Sequence, residues 1–197
     1  MKRSRLLDIL IVVVIVIVIA VAYTKFTTPQ ESSSPTTTAS YLPPDTPPNK
    51  IPNGVYVWDW DKKLFVRVNS SKSYYLPDRD GYYLYYFHNN QCPHCQYFES
   101  KLQPYLRTLS DDSDLKNKLS VVLVVCNWFT LDCGDPLARN TFSAFNIQAS
   151  PTFILIEITN GSVSKMIDIS ELYVRVFPTA REFEPQYVFQ LVRVNIE

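Results

Sequence analysis

YYLYYFHNNQCPHCQYFESKLQPYLRTL, residues 82–109, decides how the chain is read. Its first part, Tyr82 to Asn90, is a run of β-formers too dense in apolar and aromatic groups for an edge strand. Its second part has Phe98, Leu102 and Leu106 at helical spacing, so a helix follows directly. Pro93 suits the first helical turn, where its missing N–H costs nothing. Pro104 lies inside the helix and is expected to kink it. Cys92 and Cys95 stand at the junction, separated by Pro93 and His94. Three readings of the pair are open: a redox centre, half of a zinc site, or a static disulfide.

The flanking sequence extends the pattern. GVYVWDWDKKLFVRVNSS reads as a hairpin with strands near Val55–Trp60 and Leu64–Val68. Trp58 and Trp60 are expected to pack within it. LSVVLVVCN, residues 119–127, is a second buried strand. GDPLARNTFSAFNI starts a second helix, with Asp135 as N-cap and Pro136 at the first position. PTFILIEI and SVSKMIDI flank Asn160-Gly161, a strong hairpin turn. FEPQYVFQLVRVNI closes the chain as a helix, with Tyr187, Leu191 and Val194 at helical spacing. Strand, helix, strand, helix, hairpin, helix makes an α/β fold with a central mixed sheet. The domain is expected to run from residue 51 to 197.

Before that domain the composition changes twice. Lys2, Arg3 and Arg5 precede an unbroken apolar run from Ile9 to Ala22. Residues 6–23 together give roughly 27 Å of helix, at the short end for a membrane span. Only Lys25 is basic just beyond, so the positive-inside bias places residues 1–5 in the cytoplasm and the domain outside. A cleavable signal peptide ending near Ala22 is the rival reading, and it too exports the domain. Residues 24–50 are rich in Ser, Thr and Pro, and read as a disordered stalk spanning about 30 Å.

Composition narrows the function. Lys plus Arg and Asp plus Glu each number 19, which leaves no net charge and argues against a nucleic-acid partner. Glycine occurs only 4 times, with no glycine-rich phosphate loop. The chain has 2 histidines, His88 and His94, and both flank the cysteine pair. His88 reads as a structural residue at a strand end. Cys126 and Cys133 bring the cysteine count to 4. In an exported domain they read as a structural disulfide, with a second redox pair as the functional rival. A zinc site over all four cysteines is conceivable, but their spacing makes a poor second half.

The element order, with C-P-H-C at a strand-to-helix junction, resembles the thioredoxin fold. FNIQASPTFILIEITNGSV, residues 145–163, is similar to the segment where that family places a cis-proline. The resemblance covers roughly Tyr82 to Val194, and C-P-H-C matches the DsbA-like thiol oxidases. It implies Cys92 as nucleophile and Cys95 as resolving thiol. His94 would tune Cys92, and Ser150-Pro151 would be the cis bond, with Pro151 against the cysteines. Pro93 and the backbone of Ser150 would meet substrate. No metal or organic cofactor is implied, only the redox-active Cys92–Cys95 disulfide. The implied partners are cysteine-bearing proteins and a redox partner that recycles the pair.

The chain departs from that family in three places. Tyr86 stands where thioredoxins often carry a buried Asp that moves protons for the second thiol. Gln91 replaces the aromatic residue before the first cysteine. Ile167-Asp168-Ile169 lacks the glycine common after the last strand. Glu99 or water would have to take over the missing acid's work.

The expected activity is therefore protein thiol–disulfide exchange outside the cytoplasm, with the oxidase or isomerase direction favoured. The alternatives are a non-catalytic peptide-binding module of the same fold and a carrier of a soft ion such as Cu(I) held by Cys92, Cys95 and His94.

Overall fold

Residues 40–196 are described by a computed structural model. The anchor or signal segment and most of the stalk expected from the sequence lie outside them. Among the described residues no helix is long and apolar enough to cross a membrane.

A 6-stranded mixed sheet organises the domain, in the order β2-β1-β4-β3-β5-β6. β1 (Gly54–Asp59) and β2 (Leu64–Arg67) form the expected hairpin. β3 (Gly81–Asn89) lies at the centre, parallel to β4 (Leu119–Cys126) and antiparallel to β5 (Thr152–Thr159). β6 (Ser162–Asp168) pairs with β5 through the Asn160-Gly161 turn, where both residues have positive φ, 54° and 71°. Positive φ at both positions matches the twist of a two-residue hairpin. Five helices are described: α1 (Pro93–Leu109), α2 (Ser113–Lys118), α3 (Pro136–Ala144), α4 (Ile169–Val176) and α5 (Pro185–Ile196). This is the mixed sheet flanked by helices expected from the sequence, extended on one side by the β1–β2 hairpin.

β3 is buried on both faces, and its side chains alternate between two cores. Leu84 and Tyr86 join Phe98, Leu102, Phe153, Val188 and Val192 on one side. Tyr85 and Phe87 join Val122, Val124, Phe142 and Ile156 on the other. Each large side chain withdrawn from water contributes about 1.5–3 kcal/mol. This explains why an aromatic run can sit at the sheet centre.

Three features differ from expectation. Packing begins at Ser40, within the stretch expected to be stalk. Leu42 is 1% exposed, its N–H bonds Phe65, and the carbonyl of Ser40 accepts from Arg67. A short apolar anchor thus lies along β2 despite the Pro-rich composition. α4 begins where the last strand ends, because the Asp168 side chain accepts the N–H of Glu171 and caps it. In α5 the core side carries Val188, Leu191, Val192 and Ile196, while Tyr187 and Val194 are exposed.

Candidate active site

β3 pairs Phe87 with Thr152, so the start of β5 lies beside the end of β3. The Ser150-Pro151 bond that precedes β5 is cis. Directly after β3 the chain turns, with the N–H of Cys92 bonding the carbonyl of Asn89 at 3.0 Å. Cys92 is the N-cap of α1 and Pro93 follows in its first turn. The sheet register thus brings the cysteine pair and the cis-proline to one end of the sheet.

The sulfur of Cys92 replaces the oxygen usual at an N-cap. It accepts the N–H of Cys95 at 3.4 Å, and the thiol donates to the Ser150 carbonyl at 3.3 Å. Cys92 is 7% exposed and Cys95 is fully buried; both are free thiols here. The Cys92 pKa is drawn down to about 6, first by the hydrogen bond from the Cys95 side chain. Backbone N–H groups of Cys95 and His94 add to this, and the charge of His94 comes last. Burial opposes these effects. Burial also pushes the Cys95 thiol far above the ordinary range, and its hydrogen bond to Cys92 acts in the same direction. One thiol is therefore ready to ionise and its neighbour holds its proton, an asymmetry suited to nucleophile and resolving roles.

His94 is exposed, and its Nδ1 lies 2.8 Å from a carboxylate oxygen of Glu182. That bond raises its pKa. The ring faces Glu182 of the loop before α5, so most of the loop's effect on Cys92 comes through backbone N–H groups. His88 lies in the core, its Nε2 2.8 Å from the Pro48 carbonyl and its Nδ1 2.8 Å from the Tyr86 hydroxyl. Burial lowers its pKa to about 4, so it is neutral near pH 7. Nε2–H then donates to Pro48, and the single Tyr86 hydroxyl proton is shared between His88 Nδ1 and the Cys95 main-chain oxygen.

A groove of about 710 Å³ opens beside the pair. His94, Ser150 and Pro151 form one wall; Val174, Arg181 and Phe183 belong to the other parts of its lining. The exposed Val174 of α4 gives the groove an apolar contact. The sequence reading missed α4, and with it this part of the groove.

Cys126 and Cys133 are bonded to each other, across a separation of 7 residues. This bond removes both sulfurs from the four-cysteine zinc arrangement. It closes the loop carrying Trp128 and Phe129, which Asn89 also holds by accepting the Phe129 N–H at 2.7 Å. Among the described residues no group of three or more His, Cys, Asp and Glu side chains is placed to hold a metal ion.

No family model matches the chain, and no curated protein matches it. Among solved structures it is similar to thioredoxin from Aeropyrum pernix, at 14% identity and a TM-score of 0.38, over 61% of this chain and 86% of that one.

Proposed function

We propose that the protein is a thiol–disulfide oxidoreductase acting on protein cysteines outside the cytoplasm. The observation that carries this reading is the unequal cysteine pair: Cys92 at the cap of α1, Cys95 one turn deeper, and cis-Pro151 across from them. A substrate thiolate attacks the Cys92 sulfur of the Cys92–Cys95 disulfide, or, in the reduced pair, the Cys92 thiolate attacks a substrate disulfide. In the oxidase direction a second substrate thiolate releases Cys92 from the mixed disulfide; Cys95 resolves the mixed disulfide when a partner disulfide reoxidises the pair. The backbone at Ser150 meets an extended substrate by strand addition, which tolerates varied sequences. A stabilised Cys92 thiolate stabilises the reduced form and makes the disulfide more oxidising, which favours the oxidase or isomerase direction. The basic N-terminus and apolar run support tethering with the domain outside, or secretion after cleavage near Ala22. The Cys126–Cys133 disulfide suits such a compartment. A separate membrane or soluble disulfide carrier recycles the pair.

Trapping tests this reading. In a Cys95→Ala variant, the Cys92 thiolate should attack a disulfide of an unfolded protein, release one substrate thiol and hold the other half as a mixed disulfide, visible by mass and released by reductant. A variant that captures none, although Cys92 is open to alkylation, would leave a peptide-binding module in its place.

A further inference from the structure

Two triplets of the sequence fit the acceptor pattern for an N-linked sugar, Asn-x-Ser/Thr with x other than proline: Asn69-Ser70-Ser71 and Asn160-Gly161-Ser162. The redox site uses neither. The pattern is short and arises often by chance, so the fold has to choose between them. A transferase must seat all three residues at once. The side-chain amide and the hydroxyl two residues on must therefore be unengaged, and the backbone between them open.

Asn69 stands in the loop between β2 and β3, residues 68–80, which holds no helix or strand. Behind it, the Val68 N–H bonds the Val55 carbonyl at 2.8 Å. Ahead of it, the Lys72 N–H donates to the Ser70 hydroxyl at 3.1 Å and Lys72 Nζ to the Leu76 carbonyl at 2.8 Å. The Tyr75 N–H donates to the Thr141 hydroxyl at 2.9 Å and ties the loop to α3. Between these anchors, residues 69–71 form an exposed arc. Among the described residues no hydrogen bond engages the Asn69 side chain or the Ser71 hydroxyl. Asn69 also lies on the rim shared by two shallow hollows of about 410 and 430 Å³. A sugar on its amide meets open surface on both sides, with Leu137 in the lining of one hollow and Tyr75 in that of the other.

Asn160 is exposed too, but its triplet is closed. The N–H groups of Asn160 and Gly161 donate to the Asp80 carboxylate at 3.1 and 3.2 Å. Asn160 holds a φ of 54°, and Ser162 pairs with Thr159 across the β5–β6 ladder. Seating this triplet in an enzyme means opening the end of the hairpin.

We propose that Asn69 is the acceptor of an N-linked glycan. The proposal rests on the outward orientation in the reading above and is independent of the redox chemistry. The Cys126–Cys133 disulfide belongs to the same kind of compartment. The donor is an oligosaccharide carried on a polyprenyl diphosphate. The Asn69 amide nitrogen bonds to C1 of its first sugar. The bond from C1 to the diphosphate oxygen breaks, and the lipid diphosphate leaves with the electron pair. The amide gives up one proton, and nothing is oxidised or reduced. Two residues before Asn69, the Arg67 N–H bonds the Ser40 carbonyl at 2.8 Å. The glycan therefore stands beside the point where the chain enters the domain, and a bulky, solubilising group there shields that entry.

The test uses the folded full chain in mild detergent, a single-subunit oligosaccharyltransferase and a polyprenyl-diphosphate-linked oligosaccharide. Peptide mass spectrometry should find sugar on Asn69 and none on Asn160. Asn69→Gln and Ser71→Ala should each lose it, while Cys92 alkylation stays unchanged and shows that the fold is kept. Peptides of residues 64–76 and 155–167 should both accept sugar, because no fold separates them there. A folded chain that takes no sugar at Asn69, or takes it as fast at Asn160, overturns the proposal. Expression in an N-glycosylating secretory host separates the proposal from the orientation beneath it. Thr36→Asn makes a reporter triplet with Thr37 and Thr38. Sugar on both the reporter and Asn69 is the expected result. Sugar on the reporter alone overturns the proposal and leaves the orientation standing. Sugar on neither overturns both.

Discussion

The hydroxyl of Ser150 lies 2.7 Å from the sulfur of Cys95, and its own main-chain carbonyl accepts from Cys92 at 3.3 Å. One residue, the one before the cis-proline, thus touches both thiols. Its hydroxyl favours the Cys95 thiolate against a burial effect that is larger. Ser150→Ala removes that contact and leaves the carbonyl in place. A lost hydrogen bond of about 1 kcal/mol slows resolution by Cys95 roughly fivefold. Alkylation of Cys92 stays near its original rate. Stopped-flow release of a chromophoric thiol from Cys92 measures both; an unchanged resolution rate would contradict the assignment.

Cys92 should show an acid-shifted reactivity profile. Its alkylation rate should climb with pH around 6 and level off above. Cys95→Ala, which removes the donor, should move the midpoint up more than His94→Ala does, because the Cys95 hydrogen bond is the largest lowering influence and the His94 charge the smallest. The same shift links pH to stability. The folded-state pKa is depressed, so the stabilisation of the reduced form is complete above the ordinary thiol value of about 8.5. It is lost as pH falls through about 6. Melting curves of reduced and oxidised protein across that window check the sign, since only the reduced form should carry the term.

The packed segment before β1 should matter for stability. A chain beginning at Ile51 loses Leu42 from the core and leaves His88 Nε2 without the Pro48 carbonyl. Burial of one leucine and one buried hydrogen bond together make this about 3 kcal/mol. Urea unfolding of fragments starting at Ser40 and at Ile51 measures the difference. Equal midpoints would mean the segment contributes nothing.

Replacing both Cys126 and Cys133 by Ser should cost about 2 kcal/mol, because the closed loop is short. The Cys92 alkylation profile should not change. If instead the variant loses turnover while Cys92 reactivity is kept, the second cysteine pair carries electrons rather than structure.

Much of the fold was legible where a residue has one mechanical use. Asp135 and Pro136 start α3 as a cap and a first-turn proline should, and Asn160-Gly161 turns β5 into β6. α5 was harder. Its helix is apolar on more than one side, so Tyr187, Leu191 and Val194 looked as good a stripe as the real one. Only packing against α1 and α4 chooses Val188 and Val192. α4 had a signal that hydrophobic alternation in β6 masked: Asp168 followed by Glu171, a cap with its acidic partner. At the site, the cysteines and the proline stand out by motif. Glu99 and Gln103 could be found by extending the Phe98–Leu102–Leu106 stripe by one position, which puts two polar residues in the core. The pairing of His94 with Glu182 had no local signal, since the two residues are 88 apart in sequence.

The reduction potential of the Cys92–Cys95 pair tests the central claim most directly. It is read by equilibration with glutathione in the full chain, with Cys126→Ser/Cys133→Ser as control. A depressed Cys92 pKa predicts an oxidising couple, nearer the DsbA value of about −120 mV than the thioredoxin value of about −270 mV. A couple at or below the thioredoxin value would contradict the oxidising direction. A pair that never exchanges with glutathione would contradict the oxidoreductase reading itself.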